Sequence, residues 1–140
     1  MSKTAVVFWS GTGNTEEMAN AVLEGMKENG ADASIYSADA FQAGDVDGYD
    51  AIAFGCPAMG AEVLEEDEFQ PLFDECKSAL EGKKVALFGS YGWGDGEWMR
   101  NWEDDCREAG IELACDSVVC NDAPDEDAIT ACKELGAALA

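Results

Sequence analysis

The run Ala5-Val6-Val7-Phe8-Trp9 passes directly into Ser10-Gly11-Thr12-Gly13-Asn14-Thr15, and behind it Met18, Ala19, Val22, Leu23 and Met26 recur at helical spacing up to Gly30. Five consecutive apolar residues suit a parallel strand covered on both faces. The stripe suits an amphipathic helix that ends at a left-handed glycine. The same alternation continues along the chain. Ala51 to Phe54 and Val85 to Phe88 are again continuously apolar and read as central strands. Ala33 to Tyr36 and Ile111 to Val119 interleave Ser34, Glu112, Asp116 and Ser117 with apolar residues and read as edges. Helical stripes fall at Phe69, Leu72, Phe73, Cys76 and Leu80, then at Trp98, Trp102 and Cys106, then at Ile129, Cys132, Leu135 and Leu139. Asp67, Asp95 and Asp122 are the candidate N-caps. Ala38 to Asp50, where another crossover helix belongs, reads as one short helical turn. With right-handed crossovers, the expectation is an α/β doubly wound five-stranded parallel sheet, order 2-1-3-4-5, with helices on both faces, as a single domain over residues 1–140.

Thirty acidic residues face eight basic ones, a formal charge of -22 in 140 residues. That field repels phosphate backbones and anionic membranes, so the expected partners are proteins with basic docking surfaces, with no nucleic acid and no membrane insertion. A saline environment would favour the same composition. At 47% hydrophobic, the chain still fills a core. It has no histidine, which removes Ser/His and Cys/His catalytic pairs, imidazole zinc sites and histidine-ligated haem. The six cysteines form no CxxC pair. If Cys115 and Cys120 share one extended strand, about 16 Å separates them. They then share neither a disulfide nor an iron-sulfur cluster, and the thiols read as core or boundary residues in a reducing cytosol. No apolar run approaches the roughly 20 residues of a membrane span. The expectation is a soluble, cytoplasmic monomer.

In a sheet of this order, ligands bind beyond the carboxyl ends of the strands, where the first and third diverge. Ser10 to Thr15 offers glycine amides, hydroxyls, an amide side chain and a helix N-terminus, which together make a phosphate cradle without a cation. It lacks the GK[ST] ending that would serve a β,γ-phosphate with magnesium, so a lone terminal phosphate fits it better. The same rim receives Gly55-Cys56-Pro57-Ala58-Met59-Gly60-Ala61-Glu62 and Gly89-Ser90-Tyr91-Gly92-Trp93-Gly94-Asp95-Gly96. Glycines around Tyr91 and Trp93 would leave aromatic faces in water unless a flat group covers them. The ligand therefore needs a planar end and a phosphate end.

Ser10 to Thr15, Pro57 to Gly60 followed by Glu62, and Phe88 to Asp95 together resemble the short-chain flavodoxins of clostridia and related anaerobes, across essentially the whole chain. Flavodoxin is itself one of the type examples behind the switch-point rule applied above. The resemblance implies a low-potential single-electron carrier with non-covalent FMN, shuttling between oxidoreductases and turning over no substrate of its own. It implies that Ser10, Gly11, Thr12, Gly13, Asn14 and Thr15 hold the phosphate. Trp93 would stack on the outer flavin face, and Met59, in the Pro57-Ala58-Met59 turn, would pack on the inner face. Glu62 would accept from flavin N3-H, and the Gly60 to Ala61 peptide would face N5. Ser90, Tyr91, Gly92 and Asp122 would add loop and ribityl contacts. Cys56-Pro57 and Ala61 depart from relatives that carry hydroxyl or acidic residues there, a difference that bears on redox potential. The run Glu62 to Glu68, five acids in seven, reads as a docking face beside the flavin edge.

A phospho-acceptor receiver shares this strand order but needs acids after the first and third strands and a lysine after the fifth. Here those positions read Phe8-Trp9-Ser10, Phe54-Gly55-Cys56 and Val119-Cys120-Asn121. A flavin enzyme would need a second domain or an acid/base pair, and neither is visible. A flavodoxin-like activator of a single client, of the ribonucleotide-reductase-activator type, differs from a carrier in its spacing of potentials rather than in any motif. Thr12→Ala and Asn14→Ala should each weaken FMN binding more than riboflavin binding, by about 1.5 to 3 kcal/mol per lost charge-assisted bond. Equal losses for both ligands in calorimetry would remove the phosphate from this loop.

Overall fold

A computed structural model describes residues 3–11, 13–59, 63–92 and 96–140. Five strands, β1 (Lys3–Phe8), β2 (Asp32–Ser37), β3 (Ala51–Gly55), β4 (Lys84–Tyr91) and β5 (Val118–Asn121), form one parallel sheet in the order β2-β1-β3-β4-β5. The helices are α1 (Asn14–Glu28), α2 (Phe69–Cys76), α3 (Glu97–Glu108) and α4 (Glu126–Leu139). Strand alternation sorts the sheet into two unlike faces. Ile52, Phe54, Val85 and Leu87 join the cores of α2 and α3, with Phe69, Phe73, Trp98 and Trp102. Ala51, Ala53 and Ala86 face α1 and α4, with Met18, Val22, Cys132 and Leu135. The doubly wound topology and helices on both faces are as expected.

The small-residue face goes with close helix packing. A Cβ on Gly25 would lie 2.1 Å from the Lys133 carbonyl oxygen, and one on Gly136 would lie 2.2 Å from that of Val22. The two glycines let the α1 and α4 backbones touch. α1 ends as the sequence implied, with Gly30 at φ 85° and its amide on the Lys27 carbonyl, while the Ala31 amide reaches the Met26 carbonyl.

Other boundaries moved. The expected strand from Ile111 to Val119 is largely irregular. One bridge joins Leu113 to Val85, and regular pairing begins only at Val118, in register with Phe88. Ile111 is buried in the core and Ser117 donates to the Glu103 carboxylate, so this segment follows the α3 layer before reaching the sheet edge. Cys115 and Cys120 therefore do not share a strand, and all six cysteines are free thiols. Between β2 and β3 there are two 3-10 segments, Ala38–Ala40 and Ala43–Gly48, rather than one turn. They carry Phe41 and Val46 into the core.

The helix caps also differ from expectation. α4 is capped by Asp125, whose carboxylate accepts from the Ala128 amide at 2.8 Å, and not by Asp122. Asp122 instead takes φ 58°. Gly96 occupies the N-cap of α3, and Asp95 lies outside the described residues. For α2 the cap comes from Glu65, not Asp67. Its carboxylate accepts from the amides of Asp67 (3.0 Å), Glu68 (2.8 Å) and Phe69 (2.9 Å). Glu65 is 6% exposed, so this member of the acidic run is a buried structural group and not part of a docking face. Burial raises its pKa, but the three amides outweigh that and hold it below the usual carboxylate value.

Gly136→Ala should lower stability by about 2 to 3 kcal/mol through overpacking, although alanine is the better helix former by about 1 kcal/mol. A urea midpoint that rises would show that the helices can separate freely. For Glu65, a depressed folded pKa means a contribution fully present above the unfolded value of about 4.3 and lost as pH falls through the folded one. From pH 5 to pH 3 the urea midpoint of the parent should therefore drop more steeply than that of Glu65→Gln. Parallel curves would remove the carboxylate from the account of acid stability.

Candidate functional site

β1 and β3 end together opposite Phe88, β4 runs on in parallel to Tyr91, and the turns that follow all three converge on one rim. Trp9, Gly11, Asn14, Pro57, Ala58, Met59, Ser90, Tyr91, Gly92 and Asp122 line a cleft of about 220 Å³ there. Nine of these were anticipated as ligand residues. Trp9 was not placed among them, although its position next to the phosphate loop was a usable signal. Its indole supports that loop, since a Cβ on Gly11 would lie 3.1 Å from Trp9 Cη2.

The end of the cleft at α1 is built from backbone. Gly13 is the N-cap of α1 at φ 95°, a conformation glycine adopts without strain. Gly13 has no side chain, so no cap side chain of its own competes for the first-turn amides of α1. Ser10 Oγ accepts from the Gly13 amide at 3.0 Å and closes the turn. Thr15 Oγ1 lies 3.2 Å from Ser90 Oγ, with both residues buried. That pair ties the phosphate loop to β4 beneath the cleft. Among the described residues, the cleft lining contains no lysine or arginine. Oriented amides at a helix N-terminus are a donor set suited to an anion.

The planar end lies between two walls. Pro57, Ala58 and Met59 form one, anchored where the Ala58 amide donates to the Ser90 carbonyl at 3.0 Å. Met59 and Val63 exchange amide-carbonyl bonds of 2.9 and 3.1 Å, closing the neck of that loop. Tyr91 and Gly92 lie on the other side with Asp122, whose amide donates to the Tyr91 carbonyl at 2.8 Å. Tyr91 is fixed from behind by Trp98, ring centroids 5.5 Å apart. Thr12, Gly60, Ala61, Glu62 and Trp93 lie outside the described residues. Trp98 and Trp102 are buried on α3, as expected.

A separate cavity of about 470 Å³ runs along the start of β5 and the middle of α4, from Cys115 to Val119 and Ala131 to Leu135. It lies away from the converging strand ends and lacks their oriented amides. The rim cleft has what a flat ligand with a terminal phosphate requires: an uncapped helix N-terminus, a thioether and an aromatic ring, and a pair of loop walls.

The flavodoxin family model matches residues 6–136. The chain is 45% identical over 135 residues to the flavodoxin of Megasphaera elsdenii, covering 96% of both chains. It is 43% identical over 135 residues to that of Clostridium beijerinckii, covering 96% of this chain and 97% of the other. The solution structure of two-electron reduced Megasphaera elsdenii flavodoxin superposes with a TM-score of 0.89 at 43% identity, covering 97% of each chain. Cleft, sheet order and relatives agree: this chain belongs to the flavodoxins, the low-potential single-electron carriers that use FMN.

Proposed function

We propose that residues 1–140 act as one FMN-binding unit, a cytoplasmic monomer that moves electrons between oxidoreductases with basic docking surfaces and catalyses no reaction on a substrate of its own. The observation that carries the reading is the cleft at the strand ends, with an amide-rich helix N-terminus at one end and Met59 and Tyr91 at the other. Ser10 to Thr15 would hold the phosphate, Met59 and Trp93 would flank the ring system, Glu62 would accept from N3-H, and Gly60 to Ala61 would lie at N5. Ser90, Gly92 and Asp122 would border the ribityl side. Bound FMN supplies the one-electron chemistry, and the protein sets its potentials. The described residues contain no helix long and apolar enough to cross a membrane.

The surface charge supports basic partners. Glu66, Asp67 and Glu68 are exposed, and Glu68 borders a second cleft that includes Trp9 and Ser10. Each such carboxylate about 10 Å from added negative charge on the cofactor costs about 0.4 kcal/mol in a water-like dielectric. Three amount to about 1 kcal/mol, or about 50 mV for one electron.

Purification under native conditions should yield one FMN per chain, read from the absorbance spectrum, and a flavin-free protein that also rejects added FMN would end this reading. Glu66→Gln, Asp67→Asn and Glu68→Gln in combination should raise the second one-electron potential by about 50 mV at low salt. The same change should slow reduction by a basic partner, with less effect as ionic strength rises. Rates that are flat with salt would exclude electrostatic docking through this face.

A further inference from the structure

Resting on the reading that the rim cleft holds FMN, we propose that Glu65 and Cys56 are its positioning pair: they join the end of β3 to the start of α2 and thereby hold the wall formed by Pro57, Ala58 and Met59. The chain leaves β3 at Gly55, makes this wall, and returns to α2 at Phe69. Its outgoing end is rigid. The Cys56 amide donates to the Phe88 carbonyl at 3.1 Å, and Trp98 Nε1 donates to the Cys56 carbonyl at 3.1 Å. β4 leaves no slack behind it, since a Cβ on Gly89 would lie 2.2 Å from the Cys56 oxygen.

Beyond the Met59–Val63 neck, Glu65 fixes the returning end in three ways. Its amide donates to Cys56 Sγ at 3.3 Å, its carbonyl accepts from the Gln70 amide at 2.8 Å, and its carboxylate gathers the three amides that open α2. Glu68, at the N-cap of α2, makes no side-chain cap of its own. A serine or aspartate at that position would suffice to cap a helix. A glutamate three residues earlier does something more, because the same residue is also bonded to the sulfur at the end of β3. Cys56 is fully buried, and burial pushes its thiol up to about 12. It remains S–H at neutral pH, able to accept from Glu65 and to donate to the Pro57 carbonyl at 3.5 Å. One buried thiol thus touches both ends of the loop.

The test uses purified holoprotein. FMN dissociation is followed by flavin fluorescence on dilution, both one-electron potentials by potentiometry, and stability by urea. Glu65→Gln and Cys56→Ala should each bind FMN about tenfold more weakly, the equivalent of one good hydrogen bond. Each should also shift the two potentials unequally, because a displaced wall meets the oxidised and reduced cofactor differently. Cys56→Ser, which restores an acceptor for the Glu65 amide, should return towards the parent. Leu139→Ala, a core truncation at the last residue of α4, should lower the urea midpoint yet keep parental affinity and potentials. If Glu65→Gln does not fold, Cys56→Ala and Cys56→Ser decide the matter. Lower urea midpoints with affinity and potentials within twofold of the parent would make Glu65 a helix cap only and overturn the proposal. A parent that holds no FMN would instead overturn the reading on which it rests.

Discussion

A protein of net charge -22 that uses FMN must hold the phosphate without attracting it by net charge, and in the proposed site backbone amides would meet that constraint. The described cleft contains no lysine or arginine. Away from the cleft, Lys77 pairs with Asp74 and Asp105, Arg107 with Asp104, and Lys133 with Glu24. Such pairs are worth little individually. The strong anion contacts come from helix N-termini. α2 presents its first turn to the buried Glu65 carboxylate and α4 receives Asp125, and in the proposed site α1 would present its first turn to the phosphate. The device that serves architecture at α2 would then serve binding at α1.

That device needs a sheet whose ends are in register. β1, β3 and β4 are matched residue for residue, Phe8 to Gly55 to Phe88, so the loops after β1 and β3 start from one line beside the last residues of β4, Gly89 to Tyr91. The unlike faces of the sheet keep it so. Large side chains against α2 and α3 wedge the interior beneath the flavin loops, where Phe54 sits edge-on to Phe73 at 5.1 Å and Phe69 edge-on to Trp102 at 5.4 Å. Alanines and the Gly25 and Gly136 approaches bring α1 and its N-terminus close to the sheet from the other side.

Most of this was legible in sequence because it rests on period and composition. The apolar run Ala5 to Trp9, the α1 stripe with its Gly30 stop, and the glycine-rich turns at residues 10, 57 and 89 each say locally what the tertiary structure then does. What escaped depends on spatial neighbours. Nothing local marks Gly25 and Gly136 as contact points between helices, because a glycine in a helix reads only as a weak position. Ile111 to Ser117 alternates like a strand, yet it makes only an isolated bridge, Leu113 to Val85, and regular pairing begins opposite Phe88. Asp122 looked like a cap because it precedes a proline and a helix, but it takes a left-handed turn towards Tyr91 and leaves the cap to Asp125. Glu65 was concealed by its neighbours, four other acids that made it look like one more solvated charge.

The acidic run divides for a geometric reason. The Asp67 and Glu68 amides must turn inward to reach the Glu65 carboxylate, and Glu66, Asp67 and Glu68 are left exposed. The negative surface beside the cleft is thus a by-product of the turn that supports the wall. It also sits at the N-terminus of α2, where carboxylates interact favourably with the helix dipole, so the clustered charge is partly offset locally instead of straining the fold. A carrier of this kind has to keep its cofactor rigidly placed and still present a charged face to successive partners. In the proposed carrier both requirements would be met by the same five residues, Glu65 to Phe69, with one carboxylate turned in and three turned out.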